Sequence, residues 1–288
     1  MRFPPAKAVA LLALLAIVGC EPPFHRAKSP LVAPQMSPDS VVLEMFFVRV
    51  PFGDPTVNGK MWEEIDEQPF SPELRQRLTR NGFRVGMLGA QLPEDLTKLL
   101  ELADKPAPAG QTASAKVDQL EVEPRVMRRH LQLRAGQRSE ILASSVYPEL
   151  PVLVHASGQL SGQTYYEAQA VFATKSFPQQ DGRTRIELAP ELQHGEPRQR
   201  WVGSQGMLRL ETGRAKQVYG DLTMTADLTP GAMLLLTCLP SRPGSLGYDF
   251  FTQNEGRQEQ KLLLIRLAQT QHDGLFNPPE TLKLEDQE

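Results

Sequence analysis

Glu63, Glu64, Asp66 and Glu67 stand together beside Trp62. Carboxylates this close, next to an aromatic ring, could hold a cation or handle a glycan, although an acidic solvated turn is the simpler account. The histidines offer less. His25, His130, His155, His194 and His272 are isolated, and neither a His-x-x-x-His nor a Cys-x-x-Cys spacing occurs to suggest zinc. Gly203-Ser204-Gln205-Gly206 lacks the spacing of a nucleophile elbow, and no glycine-rich loop ends in Lys-Ser or Lys-Thr to cradle phosphate. Asp54 and Asp249 have no partner visible in the sequence. Cys238 lies in the apolar run 232–239, where a thiol is a small core residue rather than a nucleophile. No nucleophile, base and metal set assembles from these residues, so neither catalysis nor a cofactor is expected.

Three arginine clusters could bind anions. Arg75, Arg77, Arg80 and Arg84 occupy one stretch; Arg125, Arg128, Arg129, Arg134 and Arg138 with His130 form the densest; Arg198, Arg200, Arg209 and Arg214 flank Trp201. The middle cluster could meet anionic lipid head groups or an acidic partner. Leu131 and Leu133 alternate with Gln132 and Arg134, so the wet face of a strand explains it more simply. Aromatic residues are too sparsely interleaved to argue for nucleic acid.

Cys20 is chemistry of another kind. Arg2 and Lys7 precede the apolar run 8–18, and Gly19-Cys20 closes it, the layout of an export signal. Ile17-Val18-Gly19-Cys20 resembles the bacterial lipobox, whose cysteine is acylated and becomes the mature N-terminus. The resemblance implies a signal peptide over 1–19 and a lipid on Cys20. The run is shorter than the roughly twenty apolar residues that a spanning helix needs. Ordinary signal cleavage, for which Ala6, Ala8, Ala10, Ala13 and Ala16 supply small residues, would instead release a soluble protein. Glu21 stands where an Asp would resemble an inner-membrane retention signal, so the expected location is the outer membrane, facing the periplasm. Losing Arg2 and Lys7 with the signal moves the formal charge from −3 to −5, which leaves no global basic field. Roughly 270 residues remain, enough for one large or two ordinary domains. Of the two cysteines only Cys238 would then be left, without a disulfide partner.

Strands, helices and linkers must position these residues. Residues 20–40 carry Pro22, Pro23, Pro30, Pro34 and Pro38 and read as an extended tether, reaching up to about 60 Å at roughly 3.1 Å per residue. Residues 41–103 have a strand and helix rhythm. A β-branched and aromatic strand over 41–50 precedes a helix with Ser71 as N-cap, Pro72 in its first turn and Asn81-Gly82 at its end. A strand over 83–88 and a second helix opened by Pro93 complete a small βαβα-like module. Residues 104–116 are Pro-, Ala- and Gly-rich and read as a linker between domains.

From 117 to 271 the pattern becomes short strands separated by turns, a mainly antiparallel β-domain, so the fold class is α+β. Leu120-Glu121-Val122, Leu131-Gln132-Leu133, Ile186-Glu187-Leu188 and Leu208-Arg209-Leu210 alternate as half-buried strands, and Tyr166, Ala168, Ala170 and Phe172 share one face. Turns are signalled at Asp181-Gly182, Gly203 to Gly206, Thr212-Gly213, Gly220-Asp221, Pro230-Gly231 and Asn254 to Gly256. The runs 232–239 and 261–268 are almost continuously apolar and predict central strands covered on both faces. The tail, 272–288, reads as disordered.

Four stretches in this order carry a family resemblance: Asp181-Gly182-Arg183-Thr184-Arg185-Ile186-Glu187-Leu188-Ala189-Pro190-Glu191, Pro230-Gly231-Ala232-Met233-Leu234-Leu235-Leu236, Gly244-Ser245-Leu246-Gly247-Tyr248-Asp249-Phe250-Phe251, and Lys261-Leu262-Leu263-Leu264-Ile265-Arg266-Leu267. Together they resemble the C-terminal domain of bacterial secretins, which assemble into rings that form outer-membrane channels for secretion. The chain is shorter than a full channel subunit and has no long glycine-rich gate. The resemblance therefore implies a lipidated, non-catalytic structural or accessory protein of a cell-envelope complex, with partners met through the β-domain. The alternative is a periplasmic ligand- or glycan-binding lipoprotein, with a pocket lined by Trp201 and Tyr166.

Overall fold

The apolar run over 41–50 forms the body of β1, Ser40–Pro51, and its alternation sends side chains to both sides of a sheet. A computed structural model describes residues 40–104, 125–156, 158–204, 207–253 and 258–271. The expected signal peptide with Cys20, the expected tether up to residue 39, the expected linker after Asp104, the expected strand at Leu120 to Val122, the expected turn at Asn254 to Gly256 and the expected tail lie outside them. After β1 come a short helix α1, Pro55–Asn58, then α2, Pro72–Arg80, β2, Phe83–Leu88, and α3, Glu94–Asp104. Next in the chain are the strands β3 (Val126–Arg134), β4 (Ser139–Ala156), β5 (Gln159–Pro178), β6 (Thr184–Ser204), β7 (Met207–Val218), β8 (Met224–Leu228) and β9 (Met233–Cys238). A helix α4, Leu246–Phe251, then leads into β10, Thr252–Gln253, and β11, Glu259–Gln271.

All strand pairs are antiparallel. Sheet 1 has the order β2-β9-β11-β1-β3 with β10 beside β11, and sheet 2 the order β4-β5-β6-β7 with β8 beside β6. The fold is mostly antiparallel β with few helices. The βαβα-like module is not found: β1 and β2 are separated by β11 and β9 and run in opposite directions, so the helix between them makes no parallel crossover. Nor does the boundary at 104–116 separate two cores. β1 and β2 share one sheet with β3, β9 and β11, and β9 and β11, apolar on both faces, lie inside it with a strand on either side.

Alternation sets the layers. Leu234, Leu236, Cys238, Leu263 and Ile265 enter a core between the two sheets, where they meet Ile141, Phe172, Ile186, Leu188 and Leu192 of sheet 2. Met233, Leu235, Leu262 and Leu264 point the other way, onto Val57, Met61, Trp62 and Leu96. The runs 232–239 and 261–268 are thus central strands covered on both faces, as their composition predicts.

The helix ends obey their local chemistry. Ser71 Oγ accepts from the Leu74 amide at 3.3 Å, and Pro72 stands in the first turn. Gly82 ends α2 with φ 78°, and a Cβ there would lie 1.9 Å from Ser245 Oγ, so α4 can approach only a glycine. Asn81, fully buried, carries the connection onward. Its Oδ1 accepts from the His155 amide at 2.8 Å and its Nδ2 donates to the His155 carbonyl at 3.0 Å, which pins α2 to the end of β4.

Two other expectations fail for local reasons. Thr212-Gly213 is no turn, since Gly213 pairs with Arg198 inside β7. Tyr166 does not share the face of Ala168, Ala170 and Phe172: those three are buried and Tyr166 is 61% exposed, with Tyr165 in the core instead. Between them Glu167 takes φ 48°, a left-handed conformation that resets the alternation of β5.

Candidate functional site

Sheet 2 is built from long strands, and its two hairpins part company halfway along. β5 pairs with β6 only from Gln169 opposite Gln193 to Pro178 opposite Thr184. Past that level β5 pairs with β4 alone and β6 with β7 alone, leaving two hairpin arms. Both bends have causes in the chain. In β5 it is Glu167; in β6, Gly195-Glu196-Pro197 sits opposite the single residue Arg214, with Gly195 at φ 72° and Pro197 lacking an N–H for the ladder.

Among the described residues, nine large apolar side chains are exposed: Leu142, Val146, Leu153, Leu160, Tyr166, Phe177, Trp201, Leu210 and Val218. Every one is on sheet 2 and on the face turned away from the core. The pairing fixes this. Leu142 and Leu153 are each next in line to a core residue, Ile141 and Val152, while Leu160 pairs with His155 on the Leu153 face and Val146 with Gln169, which lies between buried Ala168 and Ala170. Val218 pairs with Glu191, beside buried Leu192, and Trp201 pairs with Leu210, in phase with Lys216, which bonds Glu140 on that face. Trp201 is 69% exposed. An ionic cluster crosses the same face: Arg138 reaches Glu191 at 2.7 Å and Glu140 at 2.6 Å, and Lys216 reaches Glu140 at 2.9 Å. Burial works to raise the Glu140 pKa, but hydrogen bonds from Lys216, Gln193 and Arg138 outweigh it and hold the carboxyl at about 2. The cluster neutralises itself and leaves the apolar residues as the accessible chemistry of the face.

On the inner side of the β4–β5 arm lies a half-open cleft of about 400 Å³, lined by Val154, His155, Gln163, Tyr165, Gln217 and Tyr219 among others. The Tyr165 hydroxyl donates to Gln163 Oε1 at 3.0 Å and lies 3.4 Å from the Tyr219 hydroxyl, and its ring packs on His194 with centroids 4.9 Å apart. Burial pushes the Tyr219 pKa up, which keeps the phenol protonated and available as a donor. Trp201 and Tyr166 do not line it; both face the opposite side.

The remaining sequence candidates disperse. Glu67 pairs with Arg84 at 2.6 Å, and Arg84 lies over the Trp62 ring at 4.1 Å, so the acidic turn at 63–67 is tied into structure. Asp66 caps the amide of Gln68, and Asp54 caps the amide of Thr56 at the start of α1, both at 2.8 Å. Among the described residues no three His, Cys, Asp or Glu side chains group to hold a metal. Cys238 is fully buried with its thiol pushed up to about 12 by burial. Arg77 donates to the Asp221 carbonyl at 3.0 Å, so the first arginine cluster is divided between partners. In the densest one, Arg129 packs on Phe47 on one face of β3 while Arg128 meets Glu44 on the other. Arg198 is exposed and Arg214 binds the Glu167 carbonyl. His25 and His272 lie outside the described residues, as does Cys20.

Sequence reading missed Glu44 and Glu167, and it placed Asn81 at the end of a helix without its bonds to His155. Glu44 carried a signal, being the one acid in the apolar strand 41–50, where a carboxylate must find buried partners. Gly195-Glu196-Pro197 was also legible as punctuation inside a strand. Glu167 had none.

The fold and its surface define a two-sheet antiparallel β protein with an apolar outward face on sheet 2. Its chain matches no protein-family model and no curated protein.

Proposed function

We propose that this chain is a lipid-anchored, non-catalytic structural or accessory protein of a cell-envelope complex, held at the outer membrane by acylated Cys20 and engaging copies of itself or another envelope protein through sheet 2. The observation that carries the reading is the gathering of the nine large apolar side chains exposed among the described residues onto one face of that sheet. Scattered surface apolar residues are ordinary, whereas a set confined to one face is the mark of an interaction surface. The sheet's order supports the same reading: β4 and β7 end it as edge strands, the kind of position to which a further strand can add. The secretin-like stretches and the lipobox-like start agree with it.

Light scattering on the Cys20→Ser chain, with crosslinking in intact cells, tests the assembly. Self-association or a crosslinked envelope protein is expected, and Trp201→Glu with Leu210→Glu should abolish it while leaving the melting temperature unchanged. A monomer without crosslinked partners removes the reading. The anchor is tested separately: Cys20→Ala should move the protein from the membrane to the soluble fraction, since each buried acyl CH₂ contributes about 0.8 kcal/mol.

A second reading is favoured by one observation, the cleft around Tyr165 and Tyr219, whose hydroxyls and glutamine amides suit a neutral polar ligand such as a glycan. Saturable glycan binding lost in Tyr219→Phe would put it first.

A further inference from the structure

On the face of sheet 1 turned away from sheet 2, Glu44 is buried to 1% exposure between two arginines of neighbouring strands. The register brings them there: Glu44 of β1 stands opposite Arg266 of β11 on one side and His130 of β3 on the other. Arg128 Nε donates to Glu44 Oε1 and Arg266 Nε to Oε2. Both guanidiniums lie against the Phe46 ring, at 5.7 and 5.5 Å from its centroid, and His130 Nε2 is 3.6 Å from Glu44 Oε1.

One arginine would neutralise Glu44, and there are two. With the carboxylate ionised, two guanidiniums against one carboxylate leave a net charge of +1, and +2 when His130 carries a proton. Each arginine spends its Nε on Glu44. Their Nη groups have no hydrogen-bond partner among the described residues, and the side chains are 47% and 38% exposed. A guanidinium held at Nε by a buried carboxylate, with its Cζ over an aromatic ring, has lost much of its rotamer freedom before any ligand arrives. Two such groups side by side offer fixed N–H forks of the kind that tetrahedral oxyanions accept.

We propose that Arg128, Arg266 and His130 form a binding site for a phosphate group, with Glu44 as the buried post that positions both guanidiniums. Arg128 and Arg266 supply the forked donors, and His130 adds a donor and, when protonated, the second positive charge that matches a dianion. The shared chemistry is a phosphate, free or in a phospholipid headgroup.

The experiment uses the full chain with Cys20→Ser, titrated with inorganic phosphate and, separately, with vesicles of phosphatidylglycerol or phosphatidylcholine. Saturable binding is expected, weakened about tenfold by Arg128→Gln or Arg266→Gln. Arg134→Gln removes the same charge from the same strand but has no part in the site, and should leave the affinity within about twofold. Arg266→Lys keeps the charge and a partner for Glu44 but lacks the fork, so it should weaken binding while melting like the parent, which separates loss of the site from loss of the fold. Binding of phosphatidylglycerol vesicles alone assigns the headgroup; binding of inorganic phosphate assigns the free anion as a sufficient ligand. The proposal is overturned if neither probe binds saturably, if Arg134→Gln weakens binding as much as Arg266→Gln, or if Arg266→Lys binds like the parent.

Discussion

Arg214 Nη1 donates to the carbonyl oxygen of Glu167 at 3.3 Å, tying β7 to β5 at the level where β5 and β6 cease to pair. The bond sits where the two hairpin arms part. Arg214 lies opposite the bulge of β6, and Glu167 is the described non-glycine residue with positive φ. The divergence is therefore held by both strands rather than by fraying of one.

Glu167 should tolerate glycine and resist β-branching. A left-handed conformation costs an L-residue roughly 1–2 kcal/mol and more when the Cβ is branched. Urea denaturation should find Glu167→Gly close to the parent and Glu167→Val less stable than Glu167→Gly by about 2 kcal/mol. Equal midpoints would show that the backbone at this position is not constrained.

Asn81→Ala removes both side-chain bonds to His155 and leaves its amide and carbonyl without their partner. The expected loss is about 2–3 kcal/mol, the scale of leaving buried polar groups unpaired. Hydrogen exchange at His155 should quicken more than at Val171 in the centre of the sheet. Uniform quickening would mean that α2 and β4 are not coupled through this side chain.

Asp249 gives a pH-dependent signature. Burial raises its pKa from 3.8 to about 7, and Oδ2 has no hydrogen-bond partner among the described residues. The folded state then holds a proton that the unfolded state releases, so stability falls as pH rises from about 4 to about 7 and stays low above that. Asp249→Asn should match the parent at pH 4 and exceed it at pH 8 by on the order of a few kcal/mol. Parallel stability curves for the two proteins across this window would refute the assignment.

Leu235 and Leu264 are cross-strand partners in the centre of sheet 1, both fully buried. Either residue changed to Asp should lower stability by roughly 4 kcal/mol or more, since a carboxylate enters a layer with no solvent. A soluble mutant with the parent's melting temperature would remove Leu235 or Leu264 from the core.

What the sequence determined by itself was local: the strand runs, the Ser71 cap, the Gly82 stop and the two strands apolar on both faces. Each arises from short-range sterics or from period-two alternation, which a linear pattern records. The order of residues could not say that β1 and β2 join β9 and β11 in one sheet, because pairing between distant strands depends on which edges need covering, and that is a property of the assembled layers. Tyr166 shows the limit within a single strand. Its alternation placed it on one face with Ala168, Ala170 and Phe172, and the left-handed conformation at Glu167 put it in solvent and Tyr165 inside. Glu44 shows the same limit across strands. Its partners Arg128 and Arg266 lie 84 and 222 residues away along the chain, and only the register of three antiparallel strands brings the two guanidiniums to one carboxylate.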